Sequence, residues 1–339
     1  MNTMATRIRL SPAGMCRAER HDVRGWSAQA LVWALMFTLA LLVAAPVQAQ
    51  KRIALTFDDV PRSPGAWYSP DERTRRIIAA LREGGVRGAA FFVNPGSLAK
   101  PEGAGGERRI ADYVRAGHVI ANHGFSHLAL TAVPANAYVA DIDRADVWLR
   151  GRAGFRPWFR FPYLNEGRDD KVKRDAVRAA LAERRLANGY VTADGSDWYL
   201  EQRTIEAVKA GKPIDMAALR ALYVETQADA ADFYDALAVK ATGRSPAHVM
   251  LMHETDLAAR FLPDLIAELK RRGWRFVSAD AAFADPIAAQ AATIDVPSAQ
   301  GTLVEAVAWA KGLPAPRWYD GKQLGGWYDA RVLKETPAP

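Results

Sequence analysis

Cysteine is almost missing from this chain of 339 residues: the one that occurs is Cys16. It falls in a leader-like N-terminal segment, so the remainder has no thiol to oxidise and no thiolate to ligate a metal. Disulfide scaffolding is thereby excluded, and any metal centre must be built from His, Asp and Glu. A strong charge of one sign is missing too. The formal charge is +7, of which residues 1–49 supply five arginines against Glu19 and Asp22, leaving about +4 for the rest. That is too little to argue for nucleic-acid binding. The basic pairs Arg75-Arg76, Arg108-Arg109, Arg184-Arg185 and Arg271-Arg272 are spread along helical stretches and read as solvated faces. Internal repeats and low-complexity blocks are also lacking. With 50% of its residues apolar, the chain reads as globular, one large domain or two small ones.

What is present begins with an export pattern. Arg17, Arg20 and Arg24 precede the apolar segment ALVWALMFTLALLVAAP, and Val47-Gln48-Ala49 puts small residues at the key positions of a cleavage site. Residues 1–49 are expected to be a signal peptide, with Met15 an alternative start, and the mature chain to begin near Gln50, periplasmic or secreted. The alternative is an uncleaved inner-membrane anchor. From residue 51, β-prone runs (RIALTF, VRGAAFFV, HVIANH, WFRFP, LANGYVTA, HVMLMH, WRFVS) alternate with helical stretches such as PDERTRRIIAALREGG and RFLPDLIAELKRRG. About seven alternations imply an α/β fold with a mostly parallel sheet, and their number suits a closed barrel; a doubly wound open sheet is the alternative. Residues 199–245 hold two or three helical segments without a strand between them and read as a helical insert in a domain spanning 50–285. Beyond Asp285-Pro286 the pattern dissolves into a tail, 286–339, whose PRWYDG and GGWYD segments disclose no role.

The polar residues of interest stand where the strand runs stop. Asp58 and Asp59 follow IALTF, His123 and His127 follow HVIAN, Arg160 and Tyr163 end WFRFPY, Asp194 and Asp197 follow GYVTA, and His253 closes HVMLM. In a parallel barrel these ends meet on one face, where catalytic residues gather. His123 and His127 are four apart, a spacing expected to put both imidazoles on one side of a helical turn. With a carboxylate from another strand they would hold one ion and leave positions open for water and substrate. Taken alone, such histidines are more simply surface or capping residues, and adjacent acids after a strand are most simply a turn. The joint placement carries the reading. His118 and His248 fit no motif and are expected to be structural.

In these motifs the chain resembles the polysaccharide deacetylases of the NodB-homology group, carbohydrate esterase family 4. TFDD (56–59), HGFSH (123–127), RFPY (160–163), DGSDW (194–198) and LMH (251–253) occur in the family's order. The resemblance covers roughly residues 51–285 and implies a distorted (β/α)7 barrel of the glycoside hydrolase/deacetylase type. It implies Asp59, His123 and His127 as ligands of a divalent metal, usually zinc, and Asp58 as catalytic base paired with Arg160. It further implies His253 as general acid paired with Asp197, Tyr163 as donor of a backbone N–H to the oxyanion, and Trp198 and Leu251 as walls of an acetyl-methyl pocket. Three positions depart from the pattern: Gly124 stands for Ser or Thr, and Val60 and Leu164 stand for Gly.

The expected activity is that of a hydrolase acting on carbon-nitrogen bonds, removing acetyl groups from N-acetylated sugars in peptidoglycan, chitin-type oligomers or an exopolysaccharide. Two alternatives are an O-acetyl glycan esterase of the same fold and a non-catalytic carbohydrate-binding protein. The partner is an acetylated polysaccharide or oligosaccharide, with no nucleic acid, and with a membrane only if the leader is an uncleaved anchor.

Overall fold

The computed structural model describes residues 50–314 and 321–335. The leader, with Cys16, and most of PRWYDG lie outside the described residues. No helix among the described residues is long and apolar enough to cross a membrane.

Strands β1 (Arg52–Val60), β2 (Ala90–Val93), β3 (Val119–Asn122), β4 (Phe155–Phe159), β6 (Ala187–Asn188), β7 (Ala193–Asp194), β8 (Ala247–His253) and β9 (Arg275–Phe276) form one sheet; β5 (Asn165–Arg168) lies apart. The order is β6-β4-β3-β2-β1-β8-β7, with β9 paired to β1, and every pairing in the sheet is parallel. The two ends of that path, β6 and β7, belong to one stretch of chain. Between them Gly189 N–H donates to Phe159 O at 2.6 Å and Thr192 N–H to Val249 O at 2.9 Å. Residues 187–194 therefore pair with β4 by their first half and with β8 by their second. They close the sheet on itself, and the open-sheet alternative fails. Counting this stretch as one strand, the result is the distorted (β/α)7 barrel. A side chain cannot stand at Gly189, because its Cβ would lie 2.7 Å from the Phe92 ring.

The helices are α1 (Pro70–Glu83), α2 (Gly106–Arg115), α3 (Ala135–Leu149), α4 (Lys171–Glu183), α5 (Asp197–Lys209), α6 (Met216–Thr242), α7 (Asp256–Arg271), α8 (Ala279–Phe283), α9 (Ala288–Ala291), α10 (Leu303–Ala310) and α11 (Gly321–Tyr328). Period-two alternation in β1 explains both layers. Ile53, Leu55 and Phe57 belong to the cluster that holds Ile77 and Leu81 of α1 and Leu262 and Leu265 of α7. Burying each such side chain contributes about 1.5–3 kcal/mol. Thr56 and Asp58 take the other face and meet Arg160 inside the barrel. Helix starts follow from capping: Ser69 accepts from Glu72 N–H ahead of Pro70, and Thr255 accepts from Ala258 N–H two residues after His253.

The expected insert forms two helices, α5 and α6. The first begins at Asp197, so the Asp-Trp motif is itself the first turn of a helix. The segment after Asp285 is built into the body. Its β10 (Ala299–Gln300) pairs antiparallel with β5, and α10 starts from a capping box between Thr302 and Glu305. Tyr328 of α11 is fully buried, and its OH donates to Thr204 Oγ1 of α5 at 3.1 Å.

Candidate active site

Asp58 and Asp59 end β1 and diverge. Asp58 follows the inward register, 3% exposed, and its Oδ1 accepts from Arg160 Nη1 at 2.6 Å. Arg160, 1% exposed, also donates to Thr56 Oγ1, Gly189 O and Tyr190 O, and its guanidinium lies 3.8 Å from the centre of the Phe92 ring. Asp59 adopts φ 64°, the left-handed region, which turns its side chain into the cleft. There Oδ1 lies 3.1 Å from His127 Nε2 and 3.6 Å from His123 Nε2. Burial pushes the Asp59 carboxyl up, but His127 and Arg62 outweigh it and hold the group well below the usual carboxylate range.

His123 follows β3, and its Nδ1 lies 2.9 Å from Arg160 O. A carbonyl only accepts, so Nδ1 carries the proton and Nε2 keeps its lone pair toward the carboxylates. Burial depresses the imidazole to about 4, which leaves it neutral and fit to ligate. The helical turn expected between His123 and His127 is not formed. Residues 123–129 are a loop, with Gly124 at φ 76° and His127 at φ 55°. Asp141 Oδ2 accepts from Phe125 and Ser126 N–H at 2.9 and 3.0 Å, and Asn122 Oδ1 from Gly124 N–H at 2.8 Å. Side-chain acceptors, in place of helical periodicity, bring the two imidazoles together. The same loop explains Gly124, since a Cβ there would lie 3.1 Å from Asp141 Oδ2 and the φ is positive. Asp141 does the steadying that a hydroxyl at 124 would supply.

His253 ends β8. Asp197, fully buried, takes its backbone N–H on Oδ2 and its Nδ1 on Oδ1, each at 2.7 Å. Burial alone would lower the imidazole; the Asp197 carboxylate overrides it and raises the group to about 9. Tyr163 and Leu164 both have positive φ, 60° and 48°, and turn the chain after Arg160 back along the cleft. Leu164 lies on the cleft wall, and its carbonyl accepts from Gly301 N–H at 3.1 Å. Val60, by contrast, is fully buried in the core beside its ladder partner Val93, which accounts for a side chain there.

The cleft encloses ≈ 580 Å³. Asp58, Asp59, His123, His127, Tyr163, Trp198, Leu251 and His253 line it, while Arg160 and Asp197 stand behind Asp58 and His253. Among the described residues, Asp59, His123 and His127 form the group of three that could hold a metal, with ligand atoms within 4.8 Å of one another. His118 and His248 are elsewhere: His118 Nδ1 accepts from Ala89 N–H, and His248 bridges Thr192 and Asp235. The structure adds wall residues that the motifs missed: Arg62 in the loop after β1, Gln202 and Tyr234 in the insert, and Gln300 and Glu305 beyond Asp285. The Thr302-x-x-Glu305 spacing signals a helix start but says nothing of the cleft that the helix borders.

Residues 46–182 match a family model described as polysaccharide deacetylase. A peptidoglycan-N-acetylglucosamine deacetylase of Bacillus cereus is 31% identical over 121 residues, 36% of this chain and 39% of that protein. The chain thus spans about two fifths of the length of the curated relative it matches. Two solved structures are similar. One is a family 4 carbohydrate esterase from Streptomyces lividans, in complex with acetate, with 20% identity, a TM-score of 0.45 and coverage of 68% of this chain and 95% of that one. The other is a chitin deacetylase from the fungal pathogen Colletotrichum lindemuthianum, with 18% identity, a TM-score of 0.48 and coverage of 70% and 90%. The five motifs gather at one face of the barrel, and over residues 46–182 the chain is similar to the polysaccharide deacetylase family.

Proposed function

We propose that the protein is a metal-dependent hydrolase that removes the acetyl group from N-acetylated sugars of a glycan such as peptidoglycan, a chitin-type oligomer or an exopolysaccharide. The observation that carries the reading is the meeting in one cleft of three parts: the Asp59, His123 and His127 donors, the Asp58–Arg160 pair and the His253–Asp197 pair. The donors fit a divalent ion. One carboxylate oxygen and two imidazole Nε2 atoms converge, and His123 is fixed in the tautomer that ligation needs. That set without sulfur suits zinc or a harder divalent ion, and zinc is our assignment. Such an ion, when bound, polarises the acyl carbonyl and brings the pKa of a bound water to about 7.

The chain's own groups do the rest. Asp58, oriented by Arg160, takes a proton from the attacking water. The Tyr163 backbone N–H, on a strained turn at the cleft wall, is our assignment for the oxyanion donor; such a donor contributes about 3–4 kcal/mol. His253, kept protonated by Asp197, gives its Nε2 proton to the departing nitrogen, which leaves as the amine. Leu251 and the half-exposed Trp198 bound the space for the acetyl methyl. We also propose, from the leader pattern, that the chain is exported to the periplasm or beyond.

The test is acetate release from N-acetylglucosamine oligomers by the purified chain, metal-free, zinc-loaded and chelated. Release that needs the added ion is expected. No release from any acetylated glycan by loaded protein would sink the enzymatic reading, and release from O-acetyl xylan alone would replace amide with ester hydrolysis.

A further inference from the structure

The loop after Asp59 carries Arg62 into the cleft, and none of the five motifs accounts for it. Arg62 Nη1 lies 2.5 Å from Asp59 Oδ2. Asp59 Oδ1 is the oxygen that faces His127 and His123 Nε2, at 3.1 and 3.6 Å. The two oxygens of one carboxylate thus have separate partners. The main chain of Arg62 is gripped from both sides. Its N–H donates to Glu254 Oε2 at 2.8 Å, and its carbonyl accepts from Arg73 Nη2 at 2.6 Å. Arg73 Nη1 also donates to Ser63 O at 2.9 Å. Arg73 and Glu254 are both fully buried, and Glu254 directly follows His253. The position of Arg62 is therefore built from the interior and tied to the end of β8, unlike that of a surface arginine on a solvated arm.

We propose that Arg62 is a positioning residue for the metal centre: by holding Asp59 Oδ2 it fixes the carboxylate with Oδ1 toward the two imidazoles. Two physical arguments support it. A non-glycine residue at φ 64° sits in an unfavourable, sparsely populated region, so the direction of the Asp59 side chain depends on outside support. Asp58 next door is already matched by Arg160, and Arg62 gives Asp59 the same match, so the adjacent carboxylates do not swing apart. Partners of this kind around a metal ligand are typically worth about 10–100-fold in metal affinity.

The inference rests on the metal site proposed above, and its test reads binding, not turnover. Zinc is titrated into wild type, Arg62→Gln and Arg62→Lys by competition with a chelator, and the absorption spectrum of bound cobalt(II) is recorded for each. Arg62→Gln is expected to bind zinc about 10–100-fold more weakly and to alter the cobalt spectrum. Arg62→Lys is expected to recover part of the loss, because it keeps the charge but not the fork. Thermal unfolding of the metal-free variants monitors the fold, and the lysine variant keeps the test intact if glutamine unfolds the loop. Equal affinity with an unchanged spectrum would reduce Arg62 to a structural ion pair, and tighter binding would make it a competitor of the ion; either overturns the proposal alone. Failure of the wild type to bind any divalent ion would overturn the metal site as well.

Discussion

Arg160 serves two structures at once. One guanidinium holds the Asp58 carboxylate and donates to Gly189 and Tyr190 carbonyls on the stretch that closes the barrel. A substitution there confounds stability with chemistry, so the role of the base is better read at Asp58. Asp58→Asn keeps the shape, and on the proposed mechanism it retains zinc in a binding titration while turnover falls by about 10²–10⁴-fold. On the same proposed mechanism Asp197 governs the opposite end of the reaction. With His253 raised to about 9, activity is expected to decline only as pH rises through that value. Asp197→Asn moves this alkaline limb of kcat/KM down toward about 6.5, the ordinary histidine value, with a loss on the order of tenfold or more at pH 8. An unchanged limb would remove His253 from the acid role. The same shift bears on stability. A histidine raised in the folded state stabilises it fully below the unfolded value near 6.5, and this contribution is lost as pH rises through about 9.

At the level of elements, the ends of β1 and β8 are joined through the start of α1. Arg73 of α1 lies 3.5 Å from Asp256 and 4.0 Å from Glu254, all fully buried, while Asp256 Oδ2 accepts Trp67 and Tyr68 N–H and Tyr113 OH donates to Glu254. Removing the cation would strand two carboxylates out of water. Arg73→Met is expected to cost about 3–5 kcal/mol, read as a lower urea midpoint with an unchanged slope. A loss under 1 kcal/mol would mean that the carboxylates protonate or find water. The strands and the polar residues that line the cleft at their ends were legible in the sequence because each is a short apolar run that stops at a polar residue, as in HVMLMH. The loop from His123 to His127 was not, because its shape depends on Asp141, brought in by α3 from outside the motif. Arg62 escaped notice for a similar reason: its backbone partners, Arg73 and Glu254, are remote in sequence.

For the whole molecule, the residues beyond Asp285 were not legible in the sequence, since Gln300 and Glu305 acquire meaning only when α10 and the β10–β5 pair bring them to the cleft. The barrel itself was legible through the count of alternations. The candidate metal site links strands far apart in the chain, so a ligand that binds only the folded form must raise stability. At an ion concentration a hundred times Kd the gain is about 2.7 kcal/mol, and chelation of loaded protein should lower Tm by several degrees; no change would argue against occupancy.

The stretch 187–194 has one more consequence. A parallel sheet ordinarily ends in two strands whose outer N–H and C=O groups can recruit another chain. Here both ends are satisfied by the same few residues. The short runs β9, β5 and β10 offer little length for a foreign strand to extend. Protection against edge-to-edge association is thus concentrated in a segment whose Gly189 leaves no room for a side chain.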